Sequence, residues 1–447
     1  MNDERVILHV DLNSFFATAE QQANPYFRNK PIGIIKAIGR SCVIAASIEA
    51  KKYGVKTGSD VFEVKKLCPS IILVPADFAK YEDITYRFIK ICKTYSPMCE
   101  VFSLDECFID LTETEKFFGG AVNIALSIKD RLRSEIGDYM SCSVGIYYNR
   151  LLAKLASSKI KADGLFVIDK AIALDILDDT NLMDVCGLGW GLFNHLAALG
   201  LSSFAKIRAK SLEFLRGKFG SFWSVHLYNI SRGIDHSPVI PYSQIADAKS
   251  VGRTYTAYRD LYRKDEIRRL IRNLCEETSA KARQMGLAGR YVGISLRGGP
   301  ARNASPARKD SVSGGQGDVG GGESFFGHLT LRNYISDGKI LFDLCLKISK
   351  NWPFFAKAHR GKYVRFCGVT LGMLTKTNYL PIPLFPAERR RQELTSTIDL
   401  INQRFGDYTI YPGQLLGMPI VRPEVNGYFG DKSYRLHSAD FGRELTL

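Results

Sequence analysis

The stretch VILHVDLNSFFATAEQ (residues 6–21) joins a short apolar run to a helix-like segment through a single acid. The alternation of side chains over residues 6–10 predicts a strand. Asp11 then ends the apolar run, where a carboxylate has no evident structural partner. Two bulky rings, Phe15 and Phe16, come next at the start of a predicted helix. The question is what the acid does, and why two rings lie so close to it.

The composition is that of a globular chain. Of 447 residues, 45% are hydrophobic and 24% are charged, and the length predicts about two to four domains. No stretch approaches the roughly 20 apolar residues that cross a bilayer. The acidic start MNDERVILHV does not resemble a signal peptide, which predicts a cytoplasmic location. The ten cysteines are scattered without C-x-x-C spacing, so we expect reduced, mostly buried thiols and no zinc site.

Positive charge is concentrated in the second half of the chain. The net charge is +15, and residues 249–310 contain 15 Lys or Arg against 6 Asp or Glu. A dense positive face suits a polyanion such as nucleic acid. The alternative is a solvated surface that keeps the protein soluble, and charge alone does not separate the two.

Residues up to about 168 alternate between strand and helix patterns, which predicts an α+β or α/β arrangement. Residues 78–95 form an amphipathic helix, and VFSLDECFIDL (101–111) is expected to form a strand, a tight turn and a second strand. A further helix is predicted at 121–136 and a further strand at 141–148.

Helices with glycine-marked turns are predicted at 170–235. CGLGWGLFNHLAALGL (186–201) has the form of a helix-hairpin-helix, whose turn amides could bind a DNA phosphate without reading sequence. A plain helical hairpin is an equally good interpretation of this stretch alone. GKFG (217–220) is a candidate for a second such turn, and the proline-containing segment 235–244 is expected to be a linker.

The remainder predicts a smaller α+β unit. Its elements are a helix around EIRRLIRNLCEET, strands at 291–296, 325–331 and 363–371, a helix at 338–350 and a last helix near 388–404. The segment 298–323 is rich in Gly, Ser and Ala, and we expect a mobile basic loop.

Two more acids interrupt an apolar run in the same way as Asp11. Neighbouring strand residues point to opposite faces, so Asp105 and Glu106 can converge only at the turn of a hairpin. Three carboxylates in apolar surroundings repel one another unless cations neutralise them. Hard oxygen ligands favour Mg²⁺, and clustered carboxylates suit two ions about 3.5–4 Å apart that promote phosphoryl transfer. The alternative is that each acid simply caps a helix or ends a strand.

Here the chain resembles the Y-family, or translesion, DNA polymerases. The resemblance covers at least residues 5–410, and its motifs are VDLNSFFA (10–17), FSLDECFIDL (102–111), SVGI (143–146) with AKLASSKIKADG (153–164), CGLGWG (186–191) and SVGRTYT (250–256). Residues 41–58 look closer to the polymerase V catalytic subunit than to polymerase IV. The resemblance implies template-directed addition of deoxynucleotides to a primer 3′-hydroxyl, in DNA damage tolerance and repair.

Residue roles come from the same resemblance. Asp11, Asp105 and Glu106 match the catalytic acids that hold two Mg²⁺ ions, with the backbone carbonyl of Leu12 as a further ligand. Phe16 matches the aromatic steric gate that excludes a ribose 2′-hydroxyl. The residues expected to contact the nucleotide are Phe15, Phe16, Lys51 and Lys161, and those expected to contact DNA are Gly187, Gly189, Arg253 and Arg297.

Two departures from the family pattern stand out. Many members have a tyrosine and an arginine on the fingers helix, where this chain has Ile48 and Lys51, so a bidentate guanidinium is missing and only a point charge remains. The family motif K-P-x-G is KADG here, with Ala162 in place of proline.

The resemblance implies a right-hand polymerase of α+β multidomain architecture, with a helical thumb and a helix-hairpin-helix. We expect the palm at 1–15 and 81–168, small fingers at 16–80, the thumb at 169–235, a linker at 236–247, an α+β little finger at 248–380 and a tail at 381–447.

The tail contains a possible partner site. In NYLPIPLF (378–385), the residues Ile382, Leu384 and Phe385 occupy the place where related bacterial polymerases have a sliding-clamp-binding peptide, although the usual glutamine is missing. Packing on the little finger is the alternative. Accessory subunits of the SOS response are further possible partners.

Two other functions stay open from the sequence. A catalytically silent polymerase homologue that only binds DNA would fit the changes at Ile48 and Lys51, but all three acids are present. A nucleotide cyclase on a related palm would not need the thumb hairpin or the basic second half.

Overall fold

The computed structural model describes residues 5–36, 42–244, 247–300, 323–350, 352, 362–417 and 419–421. The chain divides into two compact units, with the boundary between residues 244 and 247. Within these ranges, no helix combines the length and apolar character needed to cross a membrane.

The first unit contains two sheets and the helices around them. Its strands are β1 (Ile7–Leu12), β2 (Ile32–Ile35), β3 (Val43–Ala46), β4 (Ile72–Pro75), β5 (Cys99–Val101), β6 (Glu106–Asp110), β7 (Cys142–Tyr147) and β8 (Leu165–Val167). Its helices are α1 (Phe15–Ala23), α2 (Ile48–Lys52), α3 (Val61–Leu67), α4 (Phe78–Lys93), α5 (Ala121–Arg131), α6 (Arg150–Lys159), α7 (Ala173–Asp178), α8 (Trp190–Ala198), α9 (Phe204–Arg208) and α10 (Leu212–Ile230). The elements predicted at 78–95 and 141–148 are confirmed, and that at 121–136 is α5 plus one π-helical turn.

The larger sheet has the strand order β5-β6-β1-β7-β8, which places β1 at its centre. Residues 7–10 of this central strand are all buried, and three of the four are apolar, with His9 as the exception. The predicted hairpin at 101–111 is confirmed, with β5 and β6 flanking a turn at 102–105.

Helix α6 lies unusually close to β7. A Cβ atom on Gly145 would sit 2.1 Å from the carbonyl oxygen of Ala153, so only glycine permits this approach. The close packing places the polar side chains of α6 directly over the centre of the sheet.

The smaller sheet, β3-β2-β4, packs on α2 and α3 around a separate core that includes Ile35, Val43 and Val64. Helices α7 to α10 surround another core, built on Leu196, Phe204 and Leu227 among others. Both glycine turns of the sequence are present there: Gly187 has φ 98°, and Gly220 has φ 71° at a kink within α10.

The segment predicted as a linker is packed over part of its length. Val239 is buried, and the Ile240 N–H donates to Glu100 at 2.9 Å. The segment is therefore fixed to the first unit at these positions, because the apolar side chain between two prolines packs there; that it links two domains stays a prediction.

Over its described residues, the second unit contains one antiparallel sheet and three α-helices. Its elements are β9 (Ser250–Leu261), α11 (Lys264–Gln284), β10 (Leu287–Pro300), β11 (Glu323–Ile335), α12 (Gly338–Ser349), β12 (Lys362–Lys376) and α13 (Pro386–Phe405). The strand order is β11-β10-β12-β9, and α11 and α12 pack against the sheet. The core includes Leu270, Ile271, Val292, Leu341 and Val369. The predicted α+β class is confirmed in both units.

The sequence underestimates the length of the strands in this unit. Residues 298–300 continue β10, so the predicted loop begins later than expected, and residues 301–322 lie outside the described ranges. All ten cysteines are free, and eight are buried, as the scattered spacing predicts.

Candidate active site

Two of the three sequence-predicted acids face each other across adjacent strands. In the register between β1 and β6, Asp11 is directly opposite Glu106. Asp105 is the last residue of the hairpin turn, and its carbonyl accepts a hydrogen bond of 2.8 Å from the Leu12 N–H. The turn therefore places the three acids at one end of β1, although among the described residues their side chains do not converge on one point.

The Glu106 carboxylate contacts two basic side chains, a lysine ammonium and a histidine ring. The Lys154 ammonium of α6 contacts Glu106 Oε2, and His9 Nε2 lies 2.9 Å from the same oxygen. Burial alone would raise the pKa of Glu106, but the hydrogen bond from His9 and the charge of Lys154 outweigh it and lower the pKa to about 2. Glu106 is therefore an anion throughout the physiological range.

His9 contacts Glu106, although nothing in the sequence pattern singled it out as a site residue. Burial lowers the pKa of His9, and because an ionised carboxylate can only accept a hydrogen bond, His9 Nε2–H donates to Glu106. The Ser157 hydroxyl lies 2.7 Å from Nδ1 and fixes the other side of the ring. One feature of the sequence could have identified His9. It lies two residues from Asp11 on one strand, so the two side chains share a face of the sheet.

The pKa of Asp105 shifts in the opposite direction to that of Glu106. Burial raises its pKa to about 6; the Ser103 hydroxyl opposes this rise by hydrogen bonding, while the charges of Asp11 and Glu106 add to it. A carboxylate that is costly to ionise next to two other carboxylates is stabilised in its charged form when a cation neutralises it.

Two lysines approach the same place from different elements. Lys161 Nζ lies 3.1 Å from Asp11 Oδ2, and Lys51 Nζ of α2 lies 2.8 Å from Ser14 Oγ. Burial, with the charge of Lys161 as the next largest cause, lowers the pKa of Lys51. Ile48, the other departure from the family pattern, lines the same cavity.

A buried network that the sequence did not reveal fixes the loop carrying Lys161. The Asn13 amide oxygen accepts the Asp163 N–H at 2.7 Å, and its Nδ2 donates to Ser143 at 2.8 Å. Lys129 of α5 is 6% exposed and forms an ion pair of 3.0 Å with Asp163. These contacts join residues that are distant in the chain, so no local sequence pattern predicts them.

The two rings of the opening stretch have different environments. Phe15 is buried, whereas Phe16 is half-buried and stacks on Tyr81 of α4, with ring centroids 4.3 Å apart and an interplanar angle of 12°. A cavity of about 390 Å³ includes Phe16, Asp11, Asp105 and Lys161 in its lining. The lining of this cavity therefore contains carboxylates, ammonium groups and an aromatic ring.

The donor set suits hard divalent cations. Carboxylate and carbonyl oxygens are the ligands that Mg²⁺ prefers. In the structure, Asp11 is directed at Lys161 and Glu106 at Lys154, and over the described ranges no three acidic, His or Cys side chains converge on one point. Binding of ions by these acids therefore requires the two lysines to release them.

The four residues that the sequence predicts to contact DNA differ in their exposure to solvent. Gly187 and Gly189 lie at the turn before α8, and a Cβ atom on Gly189 would meet open space. Arg297 is exposed, with its guanidinium 4.8 Å from the centre of the Phe366 ring. Arg253, in contrast, is buried on the helix-facing side of β9 and pairs with Glu277 at 2.6 Å, so it is not available for DNA.

The residues of the tail segment are exposed. Ile382, Leu384 and Phe385 precede α13, and they are 81%, 79% and 62% exposed. At this exposure the three side chains do not pack on the neighbouring sheet, which was the alternative prediction for this segment.

Comparison with known proteins gives concordant results. Residues 10–158 match the impB/mucB/samB family and residues 248–384 match the C-terminal domain of that family. The chain is 32% identical to DNA polymerase IV of Pelotomaculum thermopropionicum, over 90% of this chain and 94% of the relative. It is 30% identical to DNA polymerase IV of Desulfatibacillum aliphaticivorans, over 92% of this chain and 97% of the relative.

A solved Y-family DNA polymerase chimera has the same fold, with a TM-score of 0.66, 22% identity, and coverage of 82% of this chain and 98% of that one. The closer likeness to polymerase V expected for residues 41–58 stays a prediction. Sequence relatives and fold agree with each other: the chain belongs to the Y family of translesion DNA polymerases, DNA-directed enzymes that extend a primer on a template and depend on divalent metal ions.

Proposed function

We propose that Asp11, Asp105 and Glu106, with the Leu12 carbonyl, are the catalytic ligands of two Mg²⁺ ions. The observation that supports this most directly is the register of β1 and β6, which sets Asp11 opposite Glu106 beside Asp105. In the reaction the primer 3′-oxygen bonds to the α-phosphorus of the nucleotide and pyrophosphate leaves. The bound ions would supply a more acidic 3′-hydroxyl and neutralise the phosphates.

The side chains of this protein prepare the site for that reaction. Lys161 and Lys51 are cations beside the acids, and we assign them to the triphosphate, where their charge stabilises the leaving pyrophosphate. Release of Asp11 by Lys161 would couple nucleotide binding to completion of the acid cluster. His9 keeps Glu106 oriented, and Lys154 would release Glu106 when the ions bind, as Lys161 releases Asp11.

Phe16 is proposed as the steric gate, with Phe15 as its buried support. A rigid ring against the sugar excludes a 2′-hydroxyl by contact, and a wall without a hydrogen-bond partner for that hydroxyl adds a desolvation penalty. The same cavity accepts a deoxyribose without either penalty.

Binding of primer-template DNA is assigned to nonspecific phosphate contacts. The open turn at Gly187 and Gly189 offers backbone amides, and Arg297 offers a guanidinium. Phosphate contacts predict affinity that falls steeply with salt and varies little with sequence.

The domain assignment given above, from the palm at 1–15 and 81–168 to the tail at 381–447, is part of this proposal. The exposed Ile382, Leu384 and Phe385 are proposed to bind a sliding clamp, because three large apolar side chains so close together rarely stay in water without a partner. Accessory SOS subunits are proposed as further partners in damage tolerance.

The test is primer extension with Mg²⁺ on undamaged and abasic templates. We expect Asp105→Ala/Glu106→Ala to abolish extension while binding primer-template normally, and the exposed-acid control Asp83→Asn to behave like the wild type. If the wild type binds primer-template but extends no primer, with Mn²⁺ and a sliding clamp also supplied, the catalytic assignment is wrong and a silent DNA-binding homologue is the better description.

A further inference from the structure

The short segment that carries Lys161, residues 160–164, contains two consecutive residues in the left-handed region of backbone space. Ala162 has φ 67° and Asp163 has φ 71°. This conformation is unfavourable for residues with a Cβ atom, so surrounding contacts have to maintain it. Ala162 also stands where the family motif has proline, so no ring restricts φ here. The position of Lys161 therefore depends on the groups that hold its segment.

A buried ammonium group holds the backbone of this segment. Lys129 of α5 is 6% exposed, and its Nζ donates to the carbonyl oxygens of Asp163 and Gly164, the second at 3.2 Å. The carbonyl oxygen of Cys142 in β7 lies 3.3 Å from the same nitrogen. An ammonium group has three hydrogens to donate, and three carbonyls are within reach. One buried side chain thus joins α5, β7 and the end of the segment.

The Asp163 carboxylate strengthens this attachment. Its Oδ1 lies 3.0 Å from Lys129 Nζ, and its Oδ2 contacts the guanidinium of Arg133. The Lys129 side chain is 7% exposed, whereas that of Arg133 is 40% exposed. Water screens an exposed pair much more than a buried one. Of the two cations on this carboxylate, Lys129 therefore contributes more to holding the segment.

A second buried side chain ties the segment to the strand that carries Asp11. Asn13 follows β1, and its Oδ1 accepts the Asp163 N–H at 2.7 Å. Its Nδ2 donates to Ser143 Oγ at 2.8 Å. Lys161 Nζ lies 3.1 Å from Asp11 Oδ2. The segment is thus attached on one side to α5 and on the other to the end of β1, which fixes how far Lys161 stands from the acid.

We propose that Lys129 is a positioning residue for the incoming nucleotide, acting by holding the backbone that carries Lys161. Lysine binds phosphate as a point charge on a flexible stem, so the protein can fix only the point from which the stem starts. A segment free to move would present that charge over a range of positions and bind a triphosphate less tightly. The inference rests on the proposed function in one respect, the assignment of Lys161 to the triphosphate.

The first measurement is a double-mutant cycle with Lys129→Met and Lys161→Ala in the full-length protein. Primer extension with Mg²⁺ at saturating primer-template gives KM for the nucleotide and kcat. We expect Lys129→Met to raise KM about tenfold, with a smaller change in kcat. The double variant should have the KM of Lys161→Ala alone, because a positioning residue has no effect once the residue it positions is gone. The control Arg133→Met removes the exposed cation on the same carboxylate and should leave KM unchanged.

The second measurement needs neither metal ion nor nucleotide. Trypsin cleaves after exposed lysines, and the side chain of Lys161 is 59% exposed. The rate of cleavage after Lys161 reports how readily its segment opens. We expect several-fold faster cleavage there in Lys129→Met than in the wild type, followed by mass spectrometry. Cleavage after the exposed Lys116, which lies just before α5, is the internal reference and should not change.

The variant Lys129→Met/Asp163→Asn separates positioning from stability. It leaves no unpaired buried carboxylate, so it should recover most of any melting temperature lost in Lys129→Met. It should keep the raised KM, because the Asp163 and Gly164 carbonyls still lack their donor. This variant also takes the place of Lys129→Met in the cycle and in the trypsin assay if the single variant does not fold.

Three results would overturn the proposal: an unchanged KM, unchanged cleavage after Lys161, or an effect on KM that adds fully to that of Lys161→Ala. The cycle also shows which assignment fails. If Lys161→Ala has the KM of the wild type, the triphosphate assignment is wrong and this inference falls with it. If Lys161→Ala raises KM and Lys129→Met does not, only the inference about Lys129 is wrong.

Discussion

Phe16 and Tyr81 form a near-parallel stack, with ring centroids 4.3 Å apart, although 65 residues separate them in the chain. Tyr81 is fully buried, and its hydroxyl donates to Glu20 at 2.8 Å. Burial, reinforced by the Glu20 charge, raises the pKa of Tyr81, so its phenol keeps its proton. The proposed gate ring is therefore backed by a second ring that is itself anchored at both its face and its hydroxyl.

The first prediction concerns this backing. We expect Tyr81→Leu to reduce discrimination against ribonucleotides by about tenfold, because Leu fills the space without presenting a flat surface that holds Phe16 in place. Tyr81→Phe should retain most of the discrimination, and Phe16→Ala should lose it. The measurement is the ratio of kcat/KM for a deoxynucleotide to that for the matching ribonucleotide.

Tyr95→Leu controls for general loss of stability, since Tyr95 is buried just beyond the end of α4 and packs on Phe118 instead of on the gate. The prediction is wrong if Tyr81→Leu and Tyr95→Leu discriminate equally well.

The second prediction concerns the triphosphate. We expect Lys161→Ala to raise KM for the incoming nucleotide by about 10- to 100-fold, the cost of one charged hydrogen bond, with a smaller change in kcat. Lys161→Arg should recover part of the affinity. Steady-state kinetics at saturating primer-template measure this. The control Lys159→Ala removes a nearby cation that contacts Thr180 at 3.1 Å, and an equal rise in KM for the two alanine variants would contradict the assignment.

The third prediction concerns the loop that carries Lys161. Ala162 has φ 67° and Asp163 has φ 71°, which is left-handed backbone. Proline cannot adopt a positive φ, so this conformation is closed to the proline of the family motif. We expect Ala162→Gly to stabilise the protein by up to about 1 kcal/mol by relieving strain. Ala162→Pro should lower the melting temperature and raise KM for the nucleotide. A proline variant with wild-type stability and KM would show that the loop does not require this conformation.

Several parts of the site could be predicted from the sequence because their chemistry is local. Asp11, Asp105 and Glu106 interrupt apolar runs, and a carboxylate in that position needs an explanation. His9, Asn13 and Lys129 could not be predicted, because their roles depend on partners more than 30 residues away in the chain. A single buried His or Lys in a sequence looks like any other strand or helix residue.

Arg253, which the sequence predicted to contact DNA, shows a different limit of prediction from sequence. Net charge identified the basic segment correctly, but charge does not say which face of a strand a residue occupies. Val251 and Arg253 are both buried on the helix-facing side of β9, while Gly252 and Thr254 between and after them are exposed. Reading the period of two through SVGRTYT would have placed Arg253 with the core residue Val251 and away from the solvent.

The last prediction concerns Asp105 and pH. Its folded-state pKa of about 6 lies above its ordinary value of 3.8. Between these values the folded protein holds a proton that the unfolded chain has lost, so this group's contribution to the free energy of unfolding falls as pH rises from about 4 to about 6 and is constant above. We therefore expect metal-free Asp105→Asn to be more stable than the wild type, by a margin that widens by about 2 kcal/mol between pH 4.5 and 7.5.

Chemical denaturation in EDTA at the two pH values measures that margin, with Asp83→Asn, whose side chain is 67% exposed, as a control that should show no such change. Added Mg²⁺ should narrow the margin at pH 7.5, because the ions stabilise only the folded form that binds them and the amide variant has lost a ligand. A margin that is constant with pH would mean that Asp105 ionises normally. A margin that Mg²⁺ leaves unchanged would mean that Asp105 is not a metal ligand, whatever its effect on primer extension.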